Sequence, residues 1–223
     1  SQGYAAVAVM QLYERGKLDL NDPVGKYLKD VPESWKPVSI LQLMQHSSGI
    51  ADYRAQKGFD VSADYRPEQL IETVAALPLA FEPGTDVKQS ATNFLLLTSI
   101  IEKAGKMPYH DFVKKYQIDY LGLRQTFFGE DLAKVKQEDV TTTGNVHQTF
   151  KKDRDYINPS ETTTGYVEKD GRLVAAPAVS PTALKGFSDI WASAENVSHW
   201  DIGLAGSALI EKPENRDIVY KPT

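Results

Sequence analysis

The sequence predicts a helix-rich α/β chain of the α+β kind, in which a helical body carries only a little antiparallel strand. Three observations lead there. About seven stretches show helical apolar spacing or helix-capping residues. One stretch alone, Tyr166–Val174, reads as a confident hairpin. No internal repeat or low-complexity tract breaks the chain into arrays.

The elements follow in order. Tyr4–Arg15 is apolar nearly all round, as a buried helix is, and Gly16 is placed to stop it. Asp22-Pro23 predicts a capped short helix reaching about Leu28. Ser39 is placed to cap Ile40–His46, which Gly49 ends after His46-Ser47-Ser48. Pro67–Leu77 has proline at its start and Pro78 beyond its end. Phe81-Glu82-Pro83-Gly84 is a turn, and Asn93–Ala104 is a strongly apolar helix stopped by Gly105. Pro108–Gln117 is amphipathic through Phe112, Val113 and Tyr116. Residues 138–162 are polar and aperiodic, and predict a long surface loop. Asp170-Gly171 joins the hairpin strands, and Ser193 caps Ala194–Leu204.

With 223 residues and ordinary apolar and charged fractions, the chain can bury a real core. Net charge is −5, with acids and bases interspersed, so no basic stripe invites nucleic acid. There is no cysteine, which excludes disulfides, thiol nucleophiles and thiolate metal sites. No apolar run has the length of a membrane span, and no signal-peptide pattern is visible. The four histidines lack metal-ligand spacing, so neither a metal site nor a cofactor is expected. The chain opens inside a helical pattern, which predicts one domain over 1–223, truncated at both ends.

Four stretches then resemble one family in its own order. Ala5–Leu28 reads AAVAVMQLYERGKLDLNDPVGKYL, Ile40–Ile50 reads ILQLMQHSSGI, Phe81–Lys106 reads FEPGTDVKQSATNFLLLTSIIEKAGK, and Gly186–Leu209 reads GFSDIWASAENVSHWDIGLAGSAL. The set is similar to the serine β-lactamase-related hydrolases of the class C and penicillin-binding-protein type, including esterase and D-peptidase relatives. The resemblance implies the helical lobe of a β-lactamase/transpeptidase-like fold, with much of the central antiparallel sheet missing. It implies acyl-serine hydrolysis of a β-lactam, D-Ala peptide or small ester. Periplasmic or secreted placement is also the family expectation, and an uncovered face would favour self-association.

That family pairs a serine and a lysine one helical turn apart, adds a tyrosine in Y-x-N, and completes the site with a later K-T-G or H-x-G strand. Alignment through Met10-Gln11-Leu12 puts Gln2 at the lysine position and the nucleophile two residues before Ser1. Alignment through Phe81-x-Pro83-Gly84 puts Gln89 at the tyrosine position and Ala91 at the asparagine position. The third strand is expected beyond Thr223. Glutamine cannot act as a base, and alanine offers no hydrogen bond. The resemblance therefore implies a hydrolase inactive or incomplete in this chain, or a non-catalytic binding relative.

Blander roles stand beside these. Gln2 reads as a solvent-exposed end residue. Gln89 either bonds a ligand or fills the tyrosine's space. Ser90 reads as a helix cap rather than a nucleophile, because no base is placed near it in sequence. His46, Ser47, Ser48 and Gly49 form the family's structural turn, with His46 holding it by side-chain bonds. Tyr4 and Trp200 read as core aromatics, and Glu130-Asp131 and Glu138-Asp139 as solvated faces.

Overall fold

The structure, a computed structural model, describes residues 1–132 and 162–220, together with the backbone of the short strands Thr142–Thr143 and Val146–His147. At its centre two apolar helices pack together, α1 (Gln2–Glu14) and α5 (Ala91–Gly105). Neither shows a polar face over most of its length, because both are surrounded. Leu95, Leu96 and Leu97 are consecutive, point in different directions, and are all fully buried. Each such side chain contributes roughly 1.5–3 kcal/mol of burial free energy. Helix α1 ends in paired bonds, Gly16 N–H to the Tyr13 carbonyl and Lys17 N–H to the Leu12 carbonyl, the arrangement expected of a glycine just past a helix end.

Around this pair stand α2 (Val24–Tyr27), α3 (Ile40–Met44), α4 (Pro67–Ala75) and α6 (Tyr109–Val113). The full capping box forms at α3: Gln42 N–H bonds the Ser39 hydroxyl, and Ser39 N–H bonds the Gln42 side chain. The cap expected of Asp22 does not form. Pro23 is itself the extended N-cap, paired with Ser39, and the Asp22 carboxylate binds Asp19 N–H, Lys26 and Tyr27 instead. Gly105 is not a stop but the last residue of α5. Its missing side chain lets Phe112 approach, and Lys106 takes the left-handed conformation (φ 54°) that ends the helix. Downstream of α6 the chain overwinds less tightly through a π-turn, Lys114–Ile118.

The strands are few and short among the described residues, as expected. β1 (Thr126–Phe128) pairs antiparallel with β6 (Ile190–Ala192), in register Phe127 to Trp191. β2 (Thr142–Thr143) pairs with β3 (Val146–His147). The loop expected over 138–162 otherwise falls outside the described residues, as do Glu138 and Asp139. β4 (Tyr166–Lys169) and β5 (Arg172–Ala175) form the expected hairpin, with Asp170 and Gly171 both at positive φ as a tight primed turn requires. Every residue of this hairpin is exposed.

After the short α7 (Gly129–Leu132), α8 (Ala194–Ala205) begins where expected, with the Ser193 hydroxyl accepting Asn196 N–H. Its Val197 is exposed while Leu204 is buried. The last described helix, α9 (Pro213–Tyr220), was not expected from the sequence. The rings of Tyr4 and Trp200 meet at 4.7 Å, and Trp200 Nε1–H donates to Gln117.

Candidate functional site

The first turn of α1, the loop after α3 and the first turn of α5 converge on His46. Residue 46 follows the end of α3, where Ser47 N–H returns to the Gln42 carbonyl and His46 N–H to the Leu43 carbonyl. His46 takes a left-handed conformation (φ 57°). For a residue with a Cβ this costs about 1 kcal/mol, so the surroundings must hold it there. They do so through main-chain bonds to the segment before α5. Lys88 N–H donates to the His46 carbonyl, Gly84 N–H to Ser47, and Ala80 N–H to Gly49. At Gly49 (φ 73°) a Cβ would collide with the Phe81 carbonyl oxygen, so the two segments cross where only glycine fits.

The imidazole is bonded on both sides. Ser90 N–H reaches His46 Nδ1 at 3.3 Å, and Asn93 Nδ2 lies 3.3 Å from the same nitrogen. Both are donors, so Nδ1 carries the lone pair and the proton sits on Nε2. Nε2–H then donates to Gln2 Oε1 at 2.9 Å. Burial lowers the His46 pKa against the raising effect of Asp52, and Arg54 lowers it further, so the ring is neutral near pH 7. Asn93 Oδ1 accepts the Ser48 hydroxyl at 2.7 Å, and Ser48 Oγ accepts Ile50 N–H. The result is a one-way relay of donors, from Ile50 through Ser48, Asn93 and His46 to Gln2, in which each bond polarises the next.

The expected residues thus come together unequally. Gln2 is a half-buried partner of His46 rather than a solvent-exposed end residue, because the His46 ring needs an acceptor at Nε2. Ser90 occupies the N-cap position of α5, but its hydroxyl does not cap. That hydroxyl donates to the Ala51 carbonyl at 3.3 Å and is buried. Ala91 is fully buried, and Gln89 is exposed. Ser47, Ser48 and Gly49 shape the turn. The arrangement can hold a polar group through neutral donors. Neither Gln2 nor Gln89 is an ionisable base.

Other polar groups were missed. Asn93 stands beside Thr92 as a polar pair in the first turn of an otherwise apolar helix, and that was its signal. Asp189 lies among Phe187, Ile190 and Trp191 and is buried. Glu130 and Asp131 do not form a free solvated face. His110 Nε2 meets Asp131 at 2.9 Å and Glu130 at 3.7 Å, and Nδ1 meets Asp111 at 3.0 Å. The Asp131 bond leads in raising the His110 pKa to about 9.

Comparison with known proteins fits this geometry. The chain superposes on a D-stereospecific amidohydrolase from Streptomyces sp. with a TM-score of 0.76 and 21% identity, covering 97% of this chain and 62% of that one. The octameric penicillin-binding protein homologue from Pyrococcus abyssi gives a TM-score of 0.70 at 24% identity, over 97% of this chain and 46% of that one. Penicillin-binding protein 4* of Bacillus subtilis (strain 168) is 30% identical over 130 residues, 56% of this chain and 28% of that protein. The chain spans less than two thirds of the length of each.

Fold and convergence together define a β-lactamase/transpeptidase-like framework. The chain belongs to the beta-lactamase family, whose model matches residues 1–219.

Proposed function

We propose that this chain keeps the substrate-facing frame of a β-lactamase-family serine hydrolase without its proton-transfer groups, and so binds rather than acylates. The observation that carries this reading is the Gln2–His46 bond. At the position aligned with the family's lysine stands a neutral amide, already engaged as an acceptor. A serine hydroxyl needs a neighbouring base to attack, and a primary amide cannot take its proton. Gln89, aligned with the tyrosine, lies exposed and equally unable to ionise.

The ligand class follows from the relatives: a β-lactam, or a peptide or amide ending in a D-amino acid. Such a ligand presents carbonyl oxygens and N–H groups, which neutral donors such as the Gln2 amide can meet. The same relatives support work in the periplasm or outside the cell. The octamer of the Pyrococcus homologue supports self-association.

Intact-protein mass spectrometry after incubation with benzylpenicillin, and separately with a fluorophosphonate, tests the reading. The expected result is no covalent mass shift with either reagent. An adduct mapped to Ser90 or Ser1 would overturn it.

A further inference from the structure

One cleft is lined by none of the residues of the His46 relay. It has a volume of about 290 Å³ and opens between the end of α5, α6, β1 and the segment 181–189. Its apolar walls include Tyr65, Pro108, Phe128 and Pro181. Phe128 and Tyr109 meet edge to face at 5.5 Å.

Two residues lining this cleft carry buried polar atoms with no hydrogen-bond partner among the described residues, Asp189 Oδ1 and Tyr109 Oη. Asp189 is 6% exposed and Tyr109 1%. Buried polar atoms are nearly always paired, and leaving one unpaired is destabilising. Two such atoms on one cleft are therefore not an accident of packing at a single side chain.

Charge accounting narrows what would meet them. The cations around the cleft are already committed. Lys185 pairs with Glu102 at 3.0 Å, and His110 pairs with Asp131 and Asp111. Asp189 is different. Its Oδ2 accepts Gly186 N–H at 2.7 Å, and no cationic side chain stands within ion-pair distance of it among the described residues. Burial pushes its pKa up, and the Gly186 N–H pulls it back. Burial also pushes the Tyr109 phenol up, and the Asp189 charge adds to the effect.

We infer that this cleft is a binding site for a small organic cation, a primary ammonium on a flat apolar body. The ammonium donates to Asp189 Oδ1 and to the Tyr109 oxygen, and the body lies against Phe128 and the two prolines. A neutral alcohol supplies a single donor and no charge. A carboxylate meets an acidic floor and is rejected. The volume is at the lower end for ligand sites, which suits a molecule of the size of benzylamine. Both orphan atoms are buried, so the ligand must turn a wall side chain aside to reach them. That cost keeps affinity modest, with a Kd on the order of 1 mM.

The experiment is a titration of the isotope-labelled chain with benzylamine at pH 7.5, followed by NMR, with benzyl alcohol and benzoate as controls. Benzylamine is expected to shift the Phe128 and Tyr109 ring resonances saturably, with benzyl alcohol at least tenfold weaker and benzoate inert. Asp189→Asn is expected to weaken benzylamine binding at least tenfold, and Tyr109→Phe a few fold. No binding to the wild-type chain, equal binding of benzylamine and benzyl alcohol, or undiminished binding by Asp189→Asn would each overturn the proposal. If Asp189→Asn does not fold, the wild-type shifts decide: perturbations confined to rings other than Phe128 and Tyr109 refute it. The Gln2–His46 reading does not enter these outcomes.

Discussion

The His46 convergence and the Asp189 cleft treat polarity in opposite ways. Around His46 the polar atoms of Ser48, Asn93 and the imidazole find partners, and all of them are neutral. In the cleft a carboxylate and a phenol are buried with bare oxygens, while charged side chains pair off around them. The first region is internally content, each of these polar groups being met by another. The second leaves hydrogen-bonding capacity unused. Unspent polarity, rather than position in a motif, marks where a ligand would gain most.

Three substitutions sharpen or break that contrast, and the largest effect is expected at the satisfied relay. Asn93→Ala removes the acceptor of the buried Ser48 hydroxyl and a donor to half-buried His46, and should cost about 2 kcal/mol of stability. Urea unfolding measures it, and a loss under about 0.5 kcal/mol would mean the relay holds nothing together.

His110→Asn should cost about 1 kcal/mol near pH 6, a value reduced by solvent screening. Its folded pKa of about 9 lies above the ordinary 6.5. The stabilisation is therefore complete below 6.5 and disappears as pH rises through about 9. Thermal unfolding of both proteins from pH 6 to 10 checks this. A constant difference across that range would strip the cluster of its charge.

The smallest effect is expected at the bare carboxylate, and its sign is reversed. Asp189→Asn can keep the Gly186 bond and removes a buried charge, so it should stabilise by up to about 1 kcal/mol at pH 8. The folded pKa is raised, so the ionised form is penalised as pH climbs above the ordinary 3.8, and the advantage should vanish below that value. A destabilised variant at pH 8 would show that Asp189 already has a partner there.

The two regions were also unequally legible in the sequence. Local signals read well. The Ser193 cap, the Ser39 cap and the Asp170-Gly171 turn each act within four residues, and each is in place. Strands β1 and β6 were invisible, since each has three residues and finds its partner more than sixty positions away. The bond from His46 to Gln2 crosses 44 positions. Motif alignment named both residues but could not show that one holds the other. At Gly105 a local rule misled, because the space next to Phe112 needed the glycine inside the helix. Asp189 gave only the hint of a charge among apolar neighbours, and its missing partner is a property of three dimensions.

The crossing of the His46 loop with the strand-like run before α5 has one further consequence. The stitches between residues 46–49 and 80–88 run from amide to carbonyl, and the Gly49–Phe81 contact is backbone on backbone. None of them depends on which side chain stands at 2, 89 or 91. The scaffold can therefore accept other side chains at those three places while its seams stay closed. Side chains at these three places can change without loosening the fabric beneath.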